Sequence, residues 1–183
     1  MVAKKKGAGG KLSRSEVVTV RLDQKLRFAA EIVARKQRRT LSSFIEWAIE
    51  QAVSKEIVQI NDHDIQEATA LEVTAKIWDV DEADRFIKFA ETCPTLLNFK
   101  EERLWKTIKE TPYFFQHVEK EDDSPNSKLI WDTCSSNIRF ERVREYWDKL
   151  QKIAEGEECK DSLPTLPENE IRQKANTADE IPF

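Results

Sequence analysis

Glycine is scarce in this chain, with four residues in 183, three of them among the first ten. That scarcity leaves no glycine-rich loop of the kind that cradles phosphates between a strand and a helix. Histidine is scarcer still: His63 and His117 stand alone, and neither belongs to an HxxxH or ExxH pair. His63 sits between Asp62 and Asp64, but without further donors at ligand spacing this reads as a solvated turn rather than a metal site. Three cysteines, Cys93, Cys134 and Cys159, are odd in number and far apart. They make neither a disulfide framework nor a CxxC metal site, and Cys93 and Cys134 are expected as small buried thiols. Nothing in the sequence ties His117 to Cys93 or Cys134 as a base–nucleophile pair. No run approaches the roughly 20 apolar residues of a membrane span. The opening MVAKKKGAGGKLSRSE has no apolar core after its lysines, so no secretory signal is expected. These absences point to a cytoplasmic chain that is not an enzyme and carries no metal or cofactor.

What is present is a globular composition with a heavily charged surface: 39% hydrophobic, 35% charged, five Trp and nine Phe. The net charge of −4 argues, as an average, against a nucleic-acid partner. The average conceals a split. Residues 1–59 hold 13 Lys and Arg against 6 Asp and Glu, a charge of +7, and the remainder holds 17 against 28, a charge of −11. A basic unit joined to an acidic one fits a nucleic-acid-binding module linked to a module with another task.

Four parts follow from composition and patterning. Residues 1–15 are rich in Lys, Gly and Ser without periodicity, and are expected to be a flexible basic arm. Residues 16–59 are compactly patterned. Residues 60–155 hold four of the five Trp and read as a small α-helical domain. Residues 156–183, with three of the six Pro and seven Asp and Glu against three Lys and Arg, are expected to be a disordered acidic tail.

Within the second part, residues 17–22 read Val-Val-Thr-Val-Arg-Leu. Alternation puts Val18, Val20 and Leu22 on one face and Val17, Thr19 and Arg21 on the other, the pattern of a short strand with one apolar side. Asp23 is a suitable N-cap for a helix from Gln24, in which Leu26, Ala29, Ala30, Ile32 and Val33 form an apolar stripe. Arg35, Lys36, Arg38 and Arg39 crowd its end, where cations complement the helix dipole. Thr40 is the expected N-cap of a second helix, with Phe44, Ile45, Ala48, Ile49, Ala52 and Val53 at helical spacing. One strand cannot satisfy its own backbone groups or cover its own apolar face. The simplest remedy is a dimer whose two strands pair antiparallel, and such a ribbon fits the DNA major groove.

The stretch VVTVRLDQKLRFAAEIVARKQRRTLSSFIEWAIEQAV resembles the ribbon-helix-helix DNA-binding domain of the Arc/MetJ/CopG group, over residues 16–56. The resemblance implies a homodimer, able to assemble further on DNA, that reads double-stranded DNA with the outward strand residues Val17, Thr19 and Arg21. It implies a phosphate held by the turn opening the second helix, Thr40, Leu41, Ser42 and Ser43, and Ala48 at a close helix contact. Two departures stand out. The inter-helix turn reads Arg38-Arg39-Thr40 where Gly is frequent, and Val17 stands where a polar reader is common. Arg21 suits bidentate bonding to guanine, and Thr19 suits a base edge or a thymine methyl. Arg38, Arg39, Lys4, Lys5, Lys6, Lys11 and Arg14 are the expected phosphate contacts, with Arg35 shared between phosphate and solvent.

In the acidic region, Ala83, Phe86, Ile87 and Ala90 are spaced for a helix capped by Asp81 and stopped by Pro94. A second begins at Asn98 with Leu104, Trp105 and Ile108 inward and ends before Pro112. Tyr113, Phe114 and Phe115 add an aromatic cluster. EKEDDSPNSK, residues 119–128, is a loop by composition. NIRFERVREYWDKLQKIAE reads as one last helix, with Ile138, Val143, Trp147, Leu150 and Ile153 near one face. This module is suited to extending the dimer interface, contacting further DNA or binding a protein partner.

The expected architecture is therefore mainly α: a ribbon-helix-helix of one strand and two helices, then a small helical domain and a tail. The expected function is a nucleoid-associated, sequence-specific transcriptional regulator of a prokaryote. Two alternatives share the same DNA-binding half: an autoregulating antitoxin of a toxin–antitoxin pair, and an accessory protein of plasmid partition or conjugation.

Overall fold

The computed structural model describes residues 17–60, 67–121 and 128–172. The basic arm with Lys4, Lys5, Lys6, Lys11 and Arg14, as well as His63, lies outside the described residues. The chain is mainly helical, with seven α-helices among the described residues. It divides into two compact units, one of Met1–Glu56 with Thr69–Leu71 and one of Ile57–Ala68 with Glu72–Phe183.

The first unit holds α1 (Gln24–Lys36) and α2 (Leu41–Val53), which pack on each other. Both begin where side-chain acceptors meet free helix amides. Asp23 accepts from the N–H groups of Lys25 at 2.8 Å and Leu26 at 3.3 Å, and Thr40 Oγ1 accepts from Ser43 N–H at 3.2 Å. Residues 17–22, expected as a strand, form neither helix nor paired strand in the single chain. Val18 and Val20, expected on a covered apolar face, are 76% and 58% exposed. A strand exists only where a neighbour completes its ladder, and among the described residues none pairs with this segment.

After α2 the chain forms β1 (Ile57–Gln59) and β2 (Glu67–Thr69), which pair as a two-stranded sheet, then α3 (Ala70–Ile77) and α4 (Glu82–Thr92), all within the second unit except Thr69, Ala70 and Leu71. α5 (Phe99–Lys109) follows, then β3 (Val118–Lys120), β4 (Leu129–Trp131), α6 (Phe140–Glu145), α7 (Trp147–Glu155) and β5 (Ile171–Arg172). Asp81 caps α4 through the amides of Ala83 and Asp84. Asn98 and Glu101 close a reciprocal capping box on α5. α5 packs on α7 and α4 on α6, enclosing a core of Ile87, Ile108, Phe114, Phe115, Ile138, Val143 and Leu150, each at most 2% exposed. Complete burial of side chains this size contributes about 1.5–3 kcal/mol each. Asp84, the one buried carboxylate in this core region, is bound at both oxygens by Arg144.

Three expectations are corrected here. The last helix is two, broken at Tyr146 (φ −101°, ψ 10°), whose ring joins those of Tyr113 and Phe114 at 5.7 and 6.3 Å. Residues 118–120, partly expected as loop, are the middle strand of a three-stranded sheet ordered β4-β3-β5, with Val118 opposite both Trp131 and Ile171. The module is thus not purely helical. Residues 156–172, expected as disordered tail, are built onto this unit, while residues 173–183 lie outside the described residues. Gly156 ends α7 with φ +85°, a conformation that favours glycine. Leu163 is 8% exposed within the core, and β5 runs parallel to β3. Glu170 then receives Arg142 at 2.7 and 2.8 Å and Arg139 at 2.7 Å. One buried leucine, one strand pairing and one charge clamp overcome a composition rich in proline and acid.

The hydrogen bonds from Arg142, with the charge of Arg139 beside it, hold the Glu170 carboxyl below its ordinary value of 4.5. A carboxylate depressed in the folded state stabilises above its unfolded pKa, and that contribution fades as pH falls through the folded one. Glu170→Gln is therefore expected to lower the urea midpoint at pH 7. Below about pH 4.5 the wild-type midpoint should fall more steeply than that of the variant. Parallel pH profiles for the two chains would show that the clamp contributes nothing.

Candidate nucleic-acid interface

The residues expected to read bases lie on the extended segment before α1. Val17 is 95% exposed, and Thr19 and Arg21 are exposed beside it. Among the described residues none of the three has a side-chain partner in the chain. Alternation along an extended backbone puts them on one side, with Val18, Val20 and Leu22 on the other.

α1 ends in a Schellman arrangement. Arg38 N–H donates to Arg35 O at 3.1 Å, and Arg39 N–H reaches back to Ala34 O at 2.9 Å. The geometry requires a left-handed residue between them, and Arg38 supplies it at φ +56°. This is the position at which the sequence departs from a glycine. The chain then turns directly into α2. Phe44 N–H makes the first bond of that helix, to Thr40 O at 2.9 Å, and Ser43 N–H goes to the Thr40 hydroxyl. The N–H groups of Leu41 and Ser42 have no partner among the described residues. Two free amides at a helix start, with Ser42 and Ser43 exposed, form an anion-receptive end assisted by the dipole.

The flanking arginines differ in their freedom. Arg38 makes no ion pair among the described residues, and its left-handed backbone places it at the junction of the two helices. Arg39 lays its guanidinium over Trp47, 5.3 Å from the ring centroid. That stacking, invisible in the sequence pattern, fixes its stem while leaving N–H groups at the edge. Arg35 shares Glu31 with Arg27, at 4.0 and 3.3 Å, so part of its charge is already answered.

Around this surface the unit has almost no interior. Ala34 is its one buried residue from Val17 to Glu56, and α2 buries none completely. The α1 stripe lies open, with Leu26 58%, Ile32 52% and Val33 37% exposed, joined by Phe28 at 61% and by Ile49 of α2 at 56%. Ala48 is half-buried.

The cysteines and His117 of the second unit are placed apart among the described residues. Cys93 is buried, and burial pushes its thiol pKa up, away from the reactive thiolate. Cys134, expected as a buried thiol, is exposed, as is Cys159: each precedes a short 3₁₀ turn rather than sitting in a core helix. The backbone N–H and carbonyl of His117 are held by Asn137, and neither Cys93 nor Cys134 is among its partners. Among the described residues no group of three His, Cys, Asp or Glu is placed to hold a metal ion. Sequence reading also missed a concavity in this unit bordered by Trp78, Arg85 and Trp147.

An L-residue in the left-handed region costs about 1–2 kcal/mol, partly offset for glycine by its greater backbone entropy. Arg38→Gly is expected to raise the unfolding midpoint of the first unit, with a gain of up to about 1 kcal/mol, whereas the β-branched Arg38→Val should lower it. Thermal unfolding followed by circular dichroism reads both, and the reverse order would refute the left-handed turn. Comparison with protein-family models, with curated proteins and with solved structures finds no match for this chain.

Proposed function

We propose that the first unit is a ribbon-helix-helix, that two copies pair through residues 17–22, and that the dimer binds double-stranded DNA as a sequence-specific transcriptional regulator of the prokaryotic nucleoid. The observation that carries this reading is the combination of an extended, unpaired segment with helices whose apolar faces are uncovered. A second copy supplies the missing strand and the missing apolar cover at once. Thr19 and Arg21, with Val17 at the edge, then lie on the outer face of the ribbon, which enters the major groove.

The amides of Leu41 and Ser42, with Thr40 and Ser43 around them, receive a phosphate on each side of that groove. Arg38 and Arg39 add charge at the same junction, and the basic arm follows the DNA backbone. The acidic second unit keeps a surface that phosphates repel, so its contacts are with other molecules or with its own copy.

Arg21→Ala tests the reading of bases. Competition binding with specific and random duplexes should show the preference lost, with a residual affinity that falls steeply with salt. Each good bidentate contact discriminates by about 1–3 kcal/mol, so the loss should be about fivefold or more. Retained preference would remove the ribbon from the recognition surface. The dimer has its own test. Leu26→Glu places a charge on the open α1 stripe, and sedimentation velocity should find monomers where the wild type gives dimers. A monomeric wild type at micromolar concentration would overturn the paired ribbon.

A further inference from the structure

A cavity of about 540 Å³ opens in the second unit between α3, α4, α5 and α7. That volume lies inside the range of small-molecule sites, roughly 300–1,000 Å³. Its walls are aromatic and aliphatic: Trp78, Phe86, Phe89, Leu104 and Trp147. Phe86 and Trp147 stand 5.5 Å apart, tilted at 48°, and Trp78 is 56% exposed. An indole left so open next to a concavity is an unfilled surface, because covering it would add apolar burial.

The polar groups of the lining are mostly committed. Glu82 accepts from Gln151 at 3.1 Å, and Asn98 and Glu101 hold each other's backbone in the α5 cap. Lys100 bonds Glu155, outside the lining, at 2.5 Å. Two groups are exceptions: the buried Trp147 Nε1, which has no hydrogen-bond partner among the described residues, and Arg85. Its Nη1 donates to the Asp79 carbonyl at 2.7 Å and its guanidinium carbon lies 5.0 Å from the Trp78 centroid, but among the described residues no carboxylate pairs with it. A guanidinium is a five-donor fork suited to a planar two-oxygen acceptor. Here it is pinned by a carbonyl and an indole, so little side-chain freedom remains to be lost when an anion arrives.

We propose that this cavity is a binding site for a small aromatic carboxylate, its ring among Phe86, Phe89, Trp147 and Trp78 and its carboxylate on Arg85. The apolar walls select a flat, hydrophobic body, and the one unpaired cation of the lining selects the acid over its neutral analogue. The site requires neither DNA nor a second chain, so it stands or falls apart from the ribbon.

The test uses the full chain and two probes of the same shape, indole-3-acetate and the uncharged indole-3-acetamide, in calorimetric and ligand-observed NMR titrations. The acid should bind saturably, and the amide at least tenfold more weakly. Arg85→Gln should erase the difference between them, and Trp78→Ala should weaken both by fivefold or more, with unchanged far-ultraviolet circular dichroism in each variant. Absence of saturable binding of the acid up to millimolar concentration overturns the proposal. Equal affinity for acid and amide, or an Arg85→Gln chain that still prefers the acid, overturns it as well.

Discussion

Apolar surface that the chain leaves uncovered governs the N-terminal unit. Val18, Val20, Leu26, Phe28, Ile32 and Val33 remain exposed, while Ala34 is the one buried residue described from Val17 to Glu56. A unit of about 40 residues has little capacity to offset its conformational entropy from within, and small domains of this size usually need a metal, a disulfide or a partner. The first two have no counterpart among the described residues, where the cysteines are free. Burying a large aliphatic or aromatic side chain contributes about 1.5–3 kcal/mol. Six such side chains are a large fraction of the 5–15 kcal/mol that hold a typical domain together. The second unit is the opposite case: Ile87, Ile108, Phe114, Phe115 and Leu150 give it an interior of its own. The two units therefore differ in how much apolar surface they cover from within, and the proposed dimer addresses the first alone.

The helix starts were the most legible part of the sequence. Asp23, Thr40, Asp81 and Asn98 each cap the helix they were expected to cap, because an N-cap is a local event between one side chain and amides two or three residues on. The inward residues of α4 and α5 were legible for the same reason: a period of 3.6 residues is written in adjacent sequence. The strand expected at residues 17–22 rested on an alternating pattern alone, and among the described residues no neighbouring strand completes a ladder with it.

What sequence reading missed depends on distant residues. β5 pairs with β3 from more than fifty positions away, and Glu170 meets Arg139 and Arg142 from about thirty. Neither pairing has a local signature, and the proline- and acid-rich composition around them suggested disorder. The break at Tyr146 likewise answers to Tyr113 and Phe114, not to a helix-breaking residue. The Arg85 cavity was out of reach because it needs α3, α4, α5 and α7 placed together. Arg39 on Trp47 is intermediate: eight positions apart, both were visible, but the turn that brings them face to face was not.

Arg38 ties the local structure to the proposed DNA surface. The turn it occupies requires a left-handed residue, and glycine would fill that position with less steric cost. An arginine there recovers only part of the difference by placing a cation near the C-terminal end of α1, an effect of about 0.3–1 kcal/mol at an exposed site. The remaining cost is local and persists in the free chain. It is offset where an anion sits at the start of α2, beside the unpaired amides of Leu41 and Ser42. Folding stability alone thus favours glycine, and binding a phosphate favours arginine. The choice of residue at this one turn is consistent with a surface shaped for a polyanion despite the chain's net charge of −4.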